Sequence, residues 1–91
     1  MTAALHLPAV LRQSAAGLGV VPLNASTVGG ALDEVAAQWP QLARRLRDEQ
    51  GVVRRHIRLY LEDTDVAELG GLATPLPEGG RLYVIPAISG G

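Results

Sequence analysis

Residues 80–91 read Gly80-Arg81-Leu82-Tyr83-Val84-Ile85-Pro86-Ala87-Ile88-Ser89-Gly90-Gly91. Arg81 to Ile85 carries the strongest strand signal in the chain, a run rich in aromatic and β-branched residues. Pro86 ends it, because proline has no N–H to donate into a ladder. Working back, Glu78-Gly79-Gly80 is a turn, and Gly70-Gly71 opens a loop that Pro75 and Pro77 close. Before that loop, Ile57, Leu59 and Leu61 alternate with Arg58 and Tyr60, as a half-buried strand does. Glu62-Asp63-Thr64-Asp65 is a polar turn into a short segment at Val66.

The front of the chain supplies the rest. Ala3 to Leu7 reads as a strand, with Leu5 and Leu7 alternating against Ala4 and His6. Gly17-Leu18-Gly19 marks a turn, and Val20 to Leu23 is the returning strand of a hairpin. Ser26 and Thr27 are N-cap candidates for a helix whose apolar stripe is Val28, Leu32, Val35, Ala36 and Trp39. Gly29 and Gly30 weaken its first turn. Pro40 stops it, and Leu42 with Leu46 predicts one further short helix ending near Gly51. One amphipathic helix against a sheet with one apolar face predicts a two-layer α+β domain spanning 1–91. The helical crossover lets the first and last strands lie side by side and parallel. That arrangement is the β-grasp, a mixed four- to five-stranded sheet with one main helix on one face. Leu32, Val35, Trp39, Leu59, Leu82 and Val84 are its expected core.

Ninety-one residues, 47% of them hydrophobic, suffice for one modest core. With no Phe, one Trp and two Tyr, that core is aliphatic. A net charge of -1 argues against a protein built to neutralise phosphates. All eight basic residues are Arg, so there is no Schiff-base lysine and no side chain to accept an isopeptide bond. Zero Cys excludes disulfides, thiolate nucleophiles and Cys-ligated zinc. His6 and His56 lack any metal-ligand spacing. No signal peptide or membrane span is apparent, so a cytoplasmic location is the default.

The catalytic inventory is thin. Ser14, Ser26 and Ser89 lie in no nucleophile elbow, and neither histidine has a carboxylate near it in sequence. Gly17-Leu18-Gly19-Val20-Val21-Pro22 is only superficially a phosphate loop, and the acidic run at 62–65 lacks the spacing of a calcium site. Arg44, Arg45, Arg47, Arg54, Arg55 and Arg58 could form a basic stripe, but Asp48 and Glu49 interrupt it, and a solvated face is expected. We therefore expect a non-enzyme with no cofactor and no metal. The end of the sequence is different. Gly90 and Gly91 lack Cβ atoms and can thread a narrow channel, presenting the Gly91 carboxylate to a partner's active site. Residues 88–91 are expected to be a flexible tail rooted in the last strand.

The stretch from Leu69-Gly70-Gly71-Leu72-Ala73-Thr74-Pro75-Leu76 through Glu78-Gly79-Gly80, Arg81 to Pro86 and Ser89-Gly90-Gly91 resembles the end of the MoaD/ThiS sulfur-carrier family. In that family a GL-x-TPL loop, a Gly-rich turn, a hydrophobic strand, a proline and a terminal Gly-Gly follow in this order. Leu7-Pro8-Ala9-Val10-Leu11-Arg12 resembles the family's first strand and turn, so the likeness spans nearly the whole chain. Tyr60, Asp63, Asp65-Val66 and Gly70 to Thr74 look closest to the CysO branch, carriers that supply sulfur for cysteine synthesis. Two positions depart from the pattern: Glu62 where the family usually has Asn, and Gly79-Gly80 where it usually has Gly-Asp.

The resemblance implies a mechanism. An E1-like adenylyltransferase activates the Gly91 carboxylate with ATP, and sulfur displaces AMP to leave a thiocarboxylate. A sulfur-accepting synthase, dependent on pyridoxal phosphate in the CysO branch, takes the sulfur, and a JAMM-type metalloprotease releases cysteine. Molybdopterin, thiazole, tRNA thiolation or a secondary metabolite are the alternative destinations. A ubiquitin-like modifier and a non-covalent interaction module are the competing classes. Nucleic acid and membrane are not expected partners. Strand alternation puts His6, Tyr60, Tyr83 and Ile85 on the face away from the helix. With Ile88 and the tail residues Ser89 and Gly90 they make the candidate partner-binding patch.

Overall fold

The computed structural model describes residues 3–86. The expected sheet forms with five strands: β1 (Ala3–His6), β2 (Val20–Leu23), β3 (Ile57–Leu61), β4 (Thr64–Asp65) and β5 (Gly80–Pro86). Their spatial order is β2-β1-β5-β3-β4. β1 and β5 are parallel, with Leu5 opposite Leu82, and every other pairing is antiparallel. The last strand thus lies at the centre, between the first and the third, which is the β-grasp arrangement.

Alternation decides which face is buried. Ala3 and Leu5, Val21 and Leu23, Ile57 and Leu59, and Leu82 and Val84 all point into one core. From above the sheet, α1 (Val28–Gln38) adds Val28, Ala31, Leu32 and Val35. α2 (Pro40–Leu46) adds Leu42, Ala43 and Leu46. Burying an aliphatic side chain of this kind is worth roughly 1.5–3 kcal/mol, so this shared core is the main source of stability.

The second helix differs from the sequence expectation in length. Its end lies at Leu46, not near Gly51, because Arg47 turns extended (φ -146°, ψ 158°) and bridges to Val53. The Asp48 carboxylate then accepts from the N–H groups of Gln50 and Val52, closing a turn through Gly51. Pro40 both ends α1 and begins α2, where its missing N–H costs nothing. Residues 9–15, read only as the start of a turn, wind into a 3₁₀ segment that buries Leu11 and Ala15.

Trp39 is a correction to the expected core: it is half-buried and packs against the cluster from its edge. At φ -132° and ψ 72° its backbone has left the helix, so the helical phase that put it on the buried stripe no longer applies.

The weak-looking start of α1 has a packing reason. Thr27 caps it, its Oγ1 accepting from Gly30 N–H at 3.0 Å. The loop at 70–76 docks onto this end: Val28 N–H donates to Thr74 O, Leu76 N–H to Ser26 O, and Thr27 bridges Pro75. A Cβ on Gly29 would stand 3.0 Å from the Leu72 carbonyl oxygen. Glycine here lets the loop approach. Thr74, the one buried polar residue among those described, holds the loop's shape: its hydroxyl accepts from Gly70 N–H and donates to Gly71 O.

Candidate docking face and tail root

Pairing across the sheet assembles the open face. His6 on β1 stands opposite Tyr83 on β5, and Tyr83 stands opposite Tyr60 on β3. Val20 extends this row on one side and Asp65 on the other. The His6 and Tyr83 rings stack with centroids 4.7 Å apart and planes 29° from parallel. One step along β5, Ile85 faces Arg58 and is 44% exposed. Two shallow concavities flank this ridge. Pro8, Arg12, Gly19 and Val20 line one, and Tyr60, Glu62, Asp63 and Arg81 line the other; both share Tyr83 and Ile85.

The expected patch of His6, Tyr60, Tyr83 and Ile85 is therefore brought together. Ile88, Ser89, Gly90 and Gly91 lie outside the described residues. Val20, 48% exposed, belongs to the row although the sequence reading did not select it. The signal was available: β2 reads Val20-Val21-Pro22-Leu23, and with Val21 and Leu23 inside, Val20 must face out.

Ion pairs frame the ridge. Arg58 meets Asp65 at 3.7 Å, and Arg81 meets Glu62 at 3.2 Å. Glu62 also accepts from Arg81 N–H at 2.9 Å, and its hydrogen bond and charge raise the Arg81 pKa above its ordinary value. Glu62 itself has φ 54°, in the left-handed region where Asn is well tolerated, so this departure from the family pattern is local to a turn. The other departure is equally local: Gly79 has φ 79°, and a Cβ on Gly80 would lie 2.9 Å from the Pro77 carbonyl oxygen. Any side chain at this position would bring its Cβ against that oxygen.

Pro86, opposite Ile57, is the last described residue, so the ridge at Tyr83 and Ile85 runs up to the end of the described chain. Among the described residues no group of His, Asp and Glu is placed to hold a metal, and no helix is long and apolar enough to cross a membrane.

This fold, with an aromatic ridge beside the end of its central strand, is that of a ubiquitin-like β-grasp protein. The chain belongs to the ThiS family, which it matches over residues 5–91. It is 30% identical over 93 aligned positions to the sulfur carrier protein CysO of Mycobacterium tuberculosis, covering 100% of both chains. It is 36% identical over 66 positions to small archaeal modifier protein 3 of Haloferax volcanii, covering 72% of this chain and 71% of that one. A chain in the crystal structure of the Amycolatopsis orientalis BexX/CysO complex superimposes with a TM-score of 0.88 at 30% identity, covering 98% of this chain and 99% of that one. The relatives are sulfur carriers and modifiers, not enzymes.

Proposed function

We propose that this chain carries sulfur as a thiocarboxylate at Gly91 and delivers it for cysteine synthesis. The observation that carries the reading is that the family match continues beyond the last described strand residue to Gly91. The full-length similarity to CysO supports the choice of destination.

The chemistry divides between the chain and its partners. A carboxylate is a poor electrophile, so an oxygen of Gly91 attacks the α-phosphorus of ATP in an E1-like enzyme and expels pyrophosphate. Sulfide then attacks the acyl carbon, the C–O bond to AMP breaks, and a thiocarboxylate remains. With a persulfide donor the product is an acyl disulfide, and a thiol cleaves its S–S bond to the same end. The terminal sulfur is a soft nucleophile able to attack an acceptor such as an aminoacrylate. The chain's own contribution is recognition: Tyr83, Tyr60, His6 and Ile85 dock the body while the glycines thread the active site. Aromatic residues suit that task, since they bury much area at low entropic cost.

Intact-mass spectrometry tests the reading. Incubation with ATP, sulfide and the organism's activating enzyme should add the mass difference of one sulfur for one oxygen. No such gain with any activating enzyme of that organism contradicts it. The charged protein is then offered to the organism's acceptor synthases. Sulfur recovered in cysteine supports the proposed destination, and recovery only in molybdopterin or thiazole overturns it. Similarity to a small archaeal modifier favours a second reading, attachment through Gly91 to target lysines. Lysine-linked conjugates in place of the thiocarboxylate would establish it.

A further inference from the structure

The arginines, expected to form a solvated stripe, divide into two sets. Arg47, Arg58 and Arg81 are paired with Asp33, Asp65 and Glu62. Arg12, Arg44, Arg45, Arg54 and Arg55 have no carboxylate within ion-pairing distance among the described residues.

Three of these unpaired arginines gather at one place, and a fourth lies beside it. Arg44 and Arg45 on α2, with Arg54 and His56 before β3, line a surface depression together with Pro86 and Val10. Arg54 is fixed there, its Nε donating to the Arg44 carbonyl oxygen at 2.6 Å. On the other side of Pro86, Arg12 lines the concavity that reaches Tyr83 and Ile85. Its Nε donates to Leu7 O at 3.2 Å, which holds its guanidinium against Gly19. Val10, 68% exposed, is an apolar side chain within this basic ring.

Of the nine acids, Glu62, Asp63 and Glu78 lie at the other pole, in the turn after β3 and the approach to β5. Asp48 and Glu49 lie in the turn after α2, and Asp65 and Glu68 belong to the segment that runs back along β3. Because β3 and β5 are antiparallel, Leu61 and Leu82 mark that pole, while Ile57 and Pro86 mark the basic one. Within a chain of net charge -1, the ring beside Pro86 thus holds four arginines with no ion pair among the described residues.

We propose that this ring is a second docking surface, and that it meets an acidic protein surface rimming the site that receives residues 87–91. The surface stands on the arrangement of charge alone; only the partner's identity as the activating enzyme rests on the carrier reading. A complementary pair of charged rims speeds and orients encounter, bringing the Pro86 end of the sheet to that surface. The net charge of -1 disfavours a nucleic acid, whose extended phosphate backbone would meet acidic residues beyond the ring.

The test is the double variant Arg44→Glu/Arg45→Glu, both exposed positions, with the NMR amide spectrum as the check on folding. In the activation reaction its KM should rise about tenfold or more, with kcat preserved. The wild-type KM should rise with salt and the variant's should not. Equal KM values and equal salt dependence overturn the proposal. A titration of the labelled wild type with a decaglutamate peptide, and separately with a single-stranded RNA decamer, provides an arm independent of activation. Peptide-induced shifts confined to positions 10–12, 44–46 and 54–57, and lost in the variant, support the surface. Absent shifts, or tighter binding of the RNA, overturn it. Where wild type is activated but the variant behaves identically, the ring fails and the carrier reading stands. Where wild type is never activated, the carrier reading fails and the titration decides the ring.

Discussion

Trp39 occupies the joint between α1 and α2, and its indole Nε1 is buried with no hydrogen-bond partner among the described residues. An unpaired buried donor costs about 1–3 kcal/mol, so the ring contributes packing at the expense of an unsatisfied group. Trp39→Phe keeps most of the packing and removes the donor. It should change unfolding free energy by less than about 1 kcal/mol in urea titrations. Trp39→Ala, from a half-buried rather than core position, should cost about 1–3 kcal/mol, below the range for a fully buried Trp. Equal losses in the two variants would contradict the account of the unpaired N–H. The sequence placed Trp39 on the helical stripe by periodicity, which carries no information on where the backbone leaves the helix. Glu62 and Gly79 show the same gap: their positive φ values are conformations that a residue list permits but does not reveal.

Elements were read more successfully than their ends. The strands at the front, at 57–61 and at 80–86, and the main helix all follow from periods of two and 3.6. The end of α2 was missed because Asp48 builds a turn through its own side chain, a competition that apolar spacing does not report. The start of α1 shows two levels in conflict, helix propensity against close packing of the 70–76 loop. Gly29→Ala decides which one wins. Propensity alone favours alanine by about 1 kcal/mol, whereas forcing a methyl against the Leu72 carbonyl costs about 1–3 kcal/mol. The variant should therefore be less stable, and an increased denaturation midpoint would contradict the packing account. On β5, alternation gave both the buried Leu82 and Val84 and the outward Tyr83 and Ile85. Tyr83→Asp and Ile85→Asp should each weaken binding to the activating enzyme by about tenfold or more, with the fold intact. A folded double variant with unchanged affinity, measured calorimetrically, would remove the ridge from the docking account.

For the whole molecule, topology is what unites these parts. The parallel pairing of β1 with β5 puts the last strand at the sheet's centre. The described chain therefore ends at Pro86, on a strand paired on both sides as far as Tyr83, beside both the aromatic ridge and the arginine ring. The ridge was legible in the sequence because alternation is periodic. The ring was not, since its members come from the 9–15 segment, α2 and the approach to β3, and only folding separates the paired arginines from the unpaired ones. Function on this account depends on Gly91 ending in a free carboxylate preceded by a residue without a Cβ. The most direct measurement compares wild type with Gly90→Val and with a chain carrying one alanine after Gly91, by intact mass after activation with ATP and sulfide. Wild type should exchange one oxygen for sulfur, and both variants, with amide spectra like the wild type's, should gain nothing. A variant with the extra alanine that acquires sulfur as readily as wild type would contradict the claim.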